Sequence, residues 1–234
     1  MVKKNTASTL GEFIAKPVSL ETENRLLHTQ LQTLFKQARD NERIMQRHHS
    51  LNLRLISSNG LVELLDTIFD DMQASSSLDT VSLMVFDPEY ELRRMFINLD
   101  IDIAAFPHFL LLQNADSLLA NYRSLRKPEL GLYSAAKHGS FYPSGTPPKS
   151  VAVLPLYRKQ QLIGYLNFGS DNPYRFTGNV ATDFIEEQAA IVAICLENVI
   201  NNERLKHIGL TDPLTGVHNR RYICLLYTSD AADE

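Results

Sequence analysis

Cysteine is nearly absent. The 234 residues include only Cys195 and Cys224, which excludes a disulfide framework or an all-cysteine metal site and suits a reducing cytoplasm. Long apolar runs are missing too. The greasiest stretch, Ile101 to Leu112, contains Asp102, Pro107 and His108 and is too short to cross a bilayer. Met1 to Leu10 is polar, without the apolar centre of a signal peptide. No strong excess of one charge exists. The formal charge is −4, and Asp230, Asp233 and Glu234 at the very end contribute three negative charges. Neither nucleic acid nor a membrane is therefore an expected partner, and the expected location is cytoplasmic. A Ser-His-Asp set, a P-loop and a His/Cys ligand cluster are likewise missing, so no catalytic, cofactor-binding or metal-binding residue is assigned.

What is present begins with helix. Residues 1–19, interrupted by Gly11 and Pro17, read as a disordered leader. Over residues 20–56 the apolar positions Leu20, Leu27, Leu31, Leu34, Ala38 and Met45 fall at spacings close to three and four, the seam of a coiled-coil-like helix. Asn41 and His48 occupy seam places. The stripe serves either a second copy of the chain or the helix's own domain. The adjacent His48 and His49 point in different directions and read as exposed polar side chains rather than metal ligands.

Ser57-Ser58-Asn59-Gly60 marks a break, and Leu61, Leu64, Leu65, Ile68, Phe69 and Met72 form a second helical pattern. The period then changes to two. Val81 to Phe86 reads as a strand, with Leu92 to Ile97 as its hairpin partner. Ala115 to Ser124 reads as a short helix, Gly131-Leu132-Tyr133 as the start of a strand, and His138 to Lys149 as loop. Val151 to Tyr157 and Leu162 to Gly169 form two strands joined by Arg158-Lys159-Gln160-Gln161. Pro155 implies an amide turned away from a partner strand. Thr182 or Asp183 caps a last helix that runs to about Lys206. Its first half should bury on the sheet and its second half should project. The expected class is α+β: an antiparallel sheet flanked by helices, with an N-terminal coiled-coil-like helix and a C-terminal signalling helix.

The strand pair and closing helix resemble the C-terminal half of a GAF domain. Ile163 to Asp171, Arg175-Phe176 and Ala181 to Ile185 are similar to the GAF-like family called domain of unknown function 484. This resemblance implies a sensor domain over residues 57–206, possessing a pocket between sheet and loops for a small molecule of unknown identity. Tyr133, His138 and Phe141 are the candidate pocket residues, although His138 reads equally as loop decoration. A covalent bilin needs a pocket cysteine, and Cys195 reads instead as a packing residue of the closing helix. The Asn-Lys-Phe-Asp-Glu signature of cyclic-nucleotide-binding GAF domains is missing.

Leu210 to Tyr222 resembles the opening of GGDEF domains, Thr-Asp-x-Leu-Thr-Gly-Leu-x-Asn-Arg-Arg, departing at Val217. The matching residues are Asp212, Pro213, Leu214, Thr215, Gly216, Asn219, Arg220 and Arg221. Their role is structural: Asp212 caps, Pro213 presets φ, Gly216 permits a sharp turn, and Asn219 and Arg220 tie it down. Residues 207–223 are thus the expected start of a diguanylate cyclase domain. The resemblance implies GTP as substrate, Mg2+ as cofactor and cyclic di-GMP as product in a complete parent, with this stretch itself inactive. Residues 224–234 do not continue the family's first helix and match a translated sequencing adapter, so a non-native tail is expected. The implied assembly is a homodimer through the N- and C-terminal helices. A non-enzymatic GAF-like interaction or ligand-binding module is the alternative.

Overall fold

Helix α1 (Leu20–Ser57) runs unbroken for 38 residues in a computed structural model that describes residues 20–114, 118, 120–177 and 182–210. The chain divides into two compact units, residues 1–46 and 47–234. In the first unit, Leu20, Leu27, Leu31, Leu34 and Met45 are all exposed. In the second, the last turns of α1 are part of the core, with Leu51 and Leu55 fully buried.

The expectation of two exposed histidines fails for His48. Its ring centroid lies 3.7 Å from that of Phe184, and Nδ1 is buried with no hydrogen-bond partner among the described residues. Burial first, and then neighbouring Arg47, push its pKa below the ordinary value. An apolar ring surface has outweighed the side chain's polarity here. His49 is exposed.

The serine pair ends α1 as its chemistry requires. The Ser57 and Ser58 hydroxyls donate to the Arg54 carbonyl at 3.1 and 3.0 Å, joining the Ser58 N–H, which donates to the same oxygen at 3.1 Å. Glu63 then reaches back to accept the Asn59 N–H at 2.8 Å, one residue ahead of Gly60, the N-cap of α2 (Leu61–Asp66). A π-helical turn, Thr67–Asp71, carries α2 into α3 (Met72–Ser76). Along this run Leu61, Leu64, Leu65, Ile68 and Met72 turn one face into the core.

Strand β1 (Thr80–Phe86) forms where the period of two implies it. Its expected hairpin partner, Leu92 to Ile97, does not: the segment is helix α4 (Glu91–Asn98). The Asp87 carboxylate accepts the N–H groups of Leu92 and Arg93 at 3.1 and 3.2 Å, a cap that starts a helix. Leu92 and Phe96, one turn apart, are both buried by that helix. The neighbour of β1 is instead β2 (Phe109–Leu112), which pairs parallel with it, Leu83 opposite Phe109. Parallel pairing needs a long crossover, supplied by α4 and the 3-10 turn Ile103–Ala105.

Helix α5 (Ala120–Arg123) lies within the stretch expected to be helical; residues 115–117 and 119 of that stretch lie outside the described residues. Strand β3 (Glu129–Leu132) ends, rather than begins, near Tyr133. The short helix α6 (Ala135–His138) ends on the first residue of the expected loop, and a 3-10 turn at Gly139–Phe141 interrupts that loop. The long hairpin β4 (Ser150–Arg158) and β5 (Gln161–Ser170) turns at Lys159 and Gln160, both at positive φ, 47° and 67°. Two successive positive φ values suit the right-handed twist of the strands. Pairing with β3 reaches only to Val153, so Pro155 lies past the end of that ladder.

The five strands among the described residues run in the order β2-β1-β5-β4-β3. The sheet is antiparallel except for the β1–β2 pair at its edge. On one face Leu83, Leu154, Leu166 and Phe168 meet α2, α3 and the closing helix α7 (Asp183–Leu210) through Val192, Leu196 and Val199. Cys195 is buried in this core and burial raises its thiol pKa, consistent with its reading as a packing residue. Arg158 and Lys159 both pair with Glu197, holding the hairpin to α7. Burial along α7 thins after Val199 and Leu205 is exposed, while Arg204 pairs with Glu91 of α4.

Candidate functional site

The opposite face of the sheet carries a second cluster. Alternation along the strands dictates which residues reach it: Ser82 and Met84 from β1, Val151 and Val153 from β4, Tyr165 and Asn167 from β5. The connection from α5 to β4 lies over them and contributes Tyr122, Phe141 and Tyr142. The Phe141 ring sits edge-on to Tyr122 and Tyr165, with centroids 5.0 and 5.5 Å away, a favourable arrangement for aromatic quadrupoles.

The structure brings the three candidate residues together. Phe141 is fully buried, His138 is 3% exposed, and Tyr133 is partly buried with its ring 5.9 Å from His138. His138 is no loop decoration. Its Nδ1 accepts the Ser134 N–H at 2.9 Å, which fixes the ring, and Nε2 lies 3.9 Å from Glu129 Oε1. Burial lowers its pKa despite the opposing pull of Glu129, so the neutral imidazole is favoured. Burial likewise raises the pKa values of Tyr122, Tyr142 and Tyr165, keeping these phenols as hydrogen-bond donors.

Sequence reasoning missed the polar groups beneath the aromatics. Ser82 donates to the Phe141 carbonyl at 2.5 Å, and Asn167 Nδ2 donates to Ser82 Oγ at 3.1 Å. Asn167 is fully buried, yet its Oδ1 has no hydrogen-bond partner among the described residues. Tyr165 donates to the Tyr122 carbonyl and Tyr142 to that of Phe168. Polar residues at alternate positions of otherwise apolar strands, Ser82 and Asn167, were the available signal. Chemically this is an apolar, aromatic cluster with a few fixed polar groups. The space is filled by its own side chains.

The motif around β5 has a structural explanation. A Cβ on Gly164 would meet the Met84 carbonyl oxygen at 2.1 Å, and one on Gly169 would meet Pro148 at 2.9 Å. Only glycine lets these segments approach so closely. Asp79 accepts from the Ser170 hydroxyl at 2.9 Å and the Asp171 N–H at 2.7 Å. Arg175 donates to the carbonyls of Ser76 and Ser77. These contacts tie the end of β5 to the end of α3. Asp212, Pro213, Leu214, Thr215, Gly216, Asn219, Arg220 and Arg221 lie outside the described residues. Among the described residues no helix is long and apolar enough to cross a membrane.

No curated protein matches the chain. Among solved structures it is similar to the GAF domain of the Acinetobacter phosphoenolpyruvate-protein phosphotransferase, at 17% identity and a TM-score of 0.47. That match covers 66% of this chain and 92% of the other. The family described as protein of unknown function, DUF484, matches residues 18–201, a span that takes in the sheet, the aromatic cluster and most of α7. The chain belongs to the DUF484 family.

Proposed function

We propose that the chain is a sensory and regulatory module with a GAF-like fold, whose closing helix passes a signal to a diguanylate cyclase domain opening at Asp212. One observation carries this reading. Helix α7 runs unbroken from Asp183 to Leu210, and the next residues, Thr211 to Tyr222, have the pattern that opens GGDEF domains. Forming cyclic di-GMP requires two GTP-holding domains to meet, so a small shift or rotation of the helix entering each one gates the reaction.

Mg2+ and GTP belong to residues beyond this motif. No two glycines are adjacent in the 234 residues, so the Gly-Gly-Asp/Glu-Glu-Phe hairpin is not among them. Among the described residues no group of three His, Cys, Asp or Glu side chains is placed to hold a metal ion. The described residues do not fit the metal, and no catalytic step is assigned to them.

The signal in this reading is a small molecule that enters the aromatic cluster by displacing side chains there, carrying a hydrogen-bond donor for the buried, orphaned Asn167 Oδ1. The test is to read the gene past Tyr222, express the whole product and measure GTP-dependent cyclic di-GMP by mass spectrometry. An intact hairpin and product are expected. One alanine inserted after Asn202 turns everything downstream by about 100° and is expected to change the output. A different fold downstream, or an intact hairpin without product, overturns the cyclase reading and leaves a GAF-like interaction module.

A further inference from the structure

The first unit presents large apolar side chains that no described residue covers. From Leu20 to Met45, the residues Leu20, Leu27, Leu31, Leu34, Phe35 and Met45 are between 49% and 84% exposed. Apolar exposure on that scale along one helix marks an interaction surface. The spacing defines its geometry. Alternating steps of three and four place Leu20, Leu27, Leu34 and Asn41 at one set of core positions, d, and Asn24, Leu31, Ala38 and Met45 at the other, a. The residues flanking this seam are Glu21, His28, Phe35 and Glu42 on one side and Glu23, Gln30, Gln37 and Ile44 on the other.

We propose that residues 20–46 of α1 pair with the same residues of a second copy as a parallel, in-register two-stranded coiled coil. Two features choose this occupant and this orientation. In register, Asn24 meets Asn24 and Asn41 meets Asn41. An amide carries both donors and an acceptor, so each buried asparagine satisfies its twin. The flanking pairs across a parallel seam are then Glu23 with His28, Gln30 with Phe35 and Gln37 with Glu42, with no like charges opposed. The antiparallel alternative also matches asparagine to asparagine, Asn24 to Asn41, but it sets Glu21 against Glu42 at both ends of the dimer, and like charges so placed repel. The inference rests on this helix alone and stands or falls independently of the cyclase reading.

The test uses the full chain with Cys224→Ser, leaving the buried Cys195 in place. At micromolar concentration, sedimentation is expected to give twice the chain mass. Leu27→Glu with Leu34→Glu is expected to raise the dissociation constant about 100-fold or more, because each change is made twice per dimer. Both positions are exposed in the single chain, so its near-ultraviolet spectrum is expected to stay as it was, while its melting ceases to depend on chain concentration. Asn41→Cys is expected to form a covalent dimer on mild oxidation, since facing seam residues lie within disulfide reach in the parallel arrangement. A monomer, a trimer or tetramer, a dimer that survives the two glutamates, or cross-linking only when Asn24→Cys and Asn41→Cys are combined would each overturn the proposal.

Discussion

Replacing Gly164 by alanine adds one carbon atom, yet should cost about as much as a mild core truncation. That carbon would lie 2.1 Å from the Met84 carbonyl oxygen and 3.0 Å from Val85 Cα, both main-chain atoms of the neighbouring strand β1. Carbon and oxygen ordinarily approach no closer than about 3.3 Å, so the strands must part by about 1 Å where Val85 faces Gly164. A forced backbone shift of this kind costs about 3 kcal/mol, offset by about 0.5–1 kcal/mol because alanine restricts the unfolded chain. The net loss of about 2–2.5 kcal/mol corresponds to a fall in Tm of roughly 4–10 °C for a chain of this size. The control is Gly131→Ala in β3, where an added carbon meets nothing within 4 Å. Its midpoint should stay level or rise slightly. Urea unfolding followed by tyrosine fluorescence suits a protein with nine tyrosines and no tryptophan. Coincident midpoints for the two variants would show that the close approach of β1 and β5 is not what demands glycine.

Ser82→Ala strips the Phe141 carbonyl and the Asn167 amide of a buried partner and should destabilise by about 1–3 kcal/mol; a loss under about 0.5 kcal/mol in urea denaturation would count against that network. Gln160→Gly relieves a positive φ at the β4–β5 turn and should stabilise by about 1 kcal/mol, with an unchanged or lower midpoint as the contrary result. His48 has its folded-state pKa below the unfolded 6.5. Its stabilising contribution is therefore present above pH 6.5 and is lost as pH falls toward the lowered value, because the unfolded chain takes up the proton first. His48→Phe should flatten that part of the stability profile, leaving the slope due to His138, whose pKa is lowered too; an unaltered profile refutes the assignment.

The elements most legible in the sequence were those whose signals are local. The β4–β5 hairpin has a polar turn between alternating runs, and α2, α3 and α7 have helical spacing with capping residues nearby. Leu92 to Ile97 was misread because a six-residue apolar pattern fits either period, and the deciding cap, Asp87, lies outside it. Strand β2 went unseen for a different reason. Phe109–Leu112 is short, and its parallel partner is reached only through a crossover, so its pairing is a tertiary fact. The candidate site was half legible. Tyr133, His138 and Phe141 are near neighbours in sequence and in space, whereas Ser82, Glu129 and Asn167 join them only when the sheet assembles.

The two clusters of the second unit share the same strands. Val153 and Tyr165 enter the aromatic cluster, while Leu154 and Leu166, their immediate neighbours in the chain, enter the core under α7. A single thickness of main chain divides the aromatic side from the helical side, as a drumhead divides the air above it from the air below. Any guest that spreads Tyr165 from Phe141 must therefore press on the strand that carries Leu166, and α7 has no second layer to shield it from that displacement.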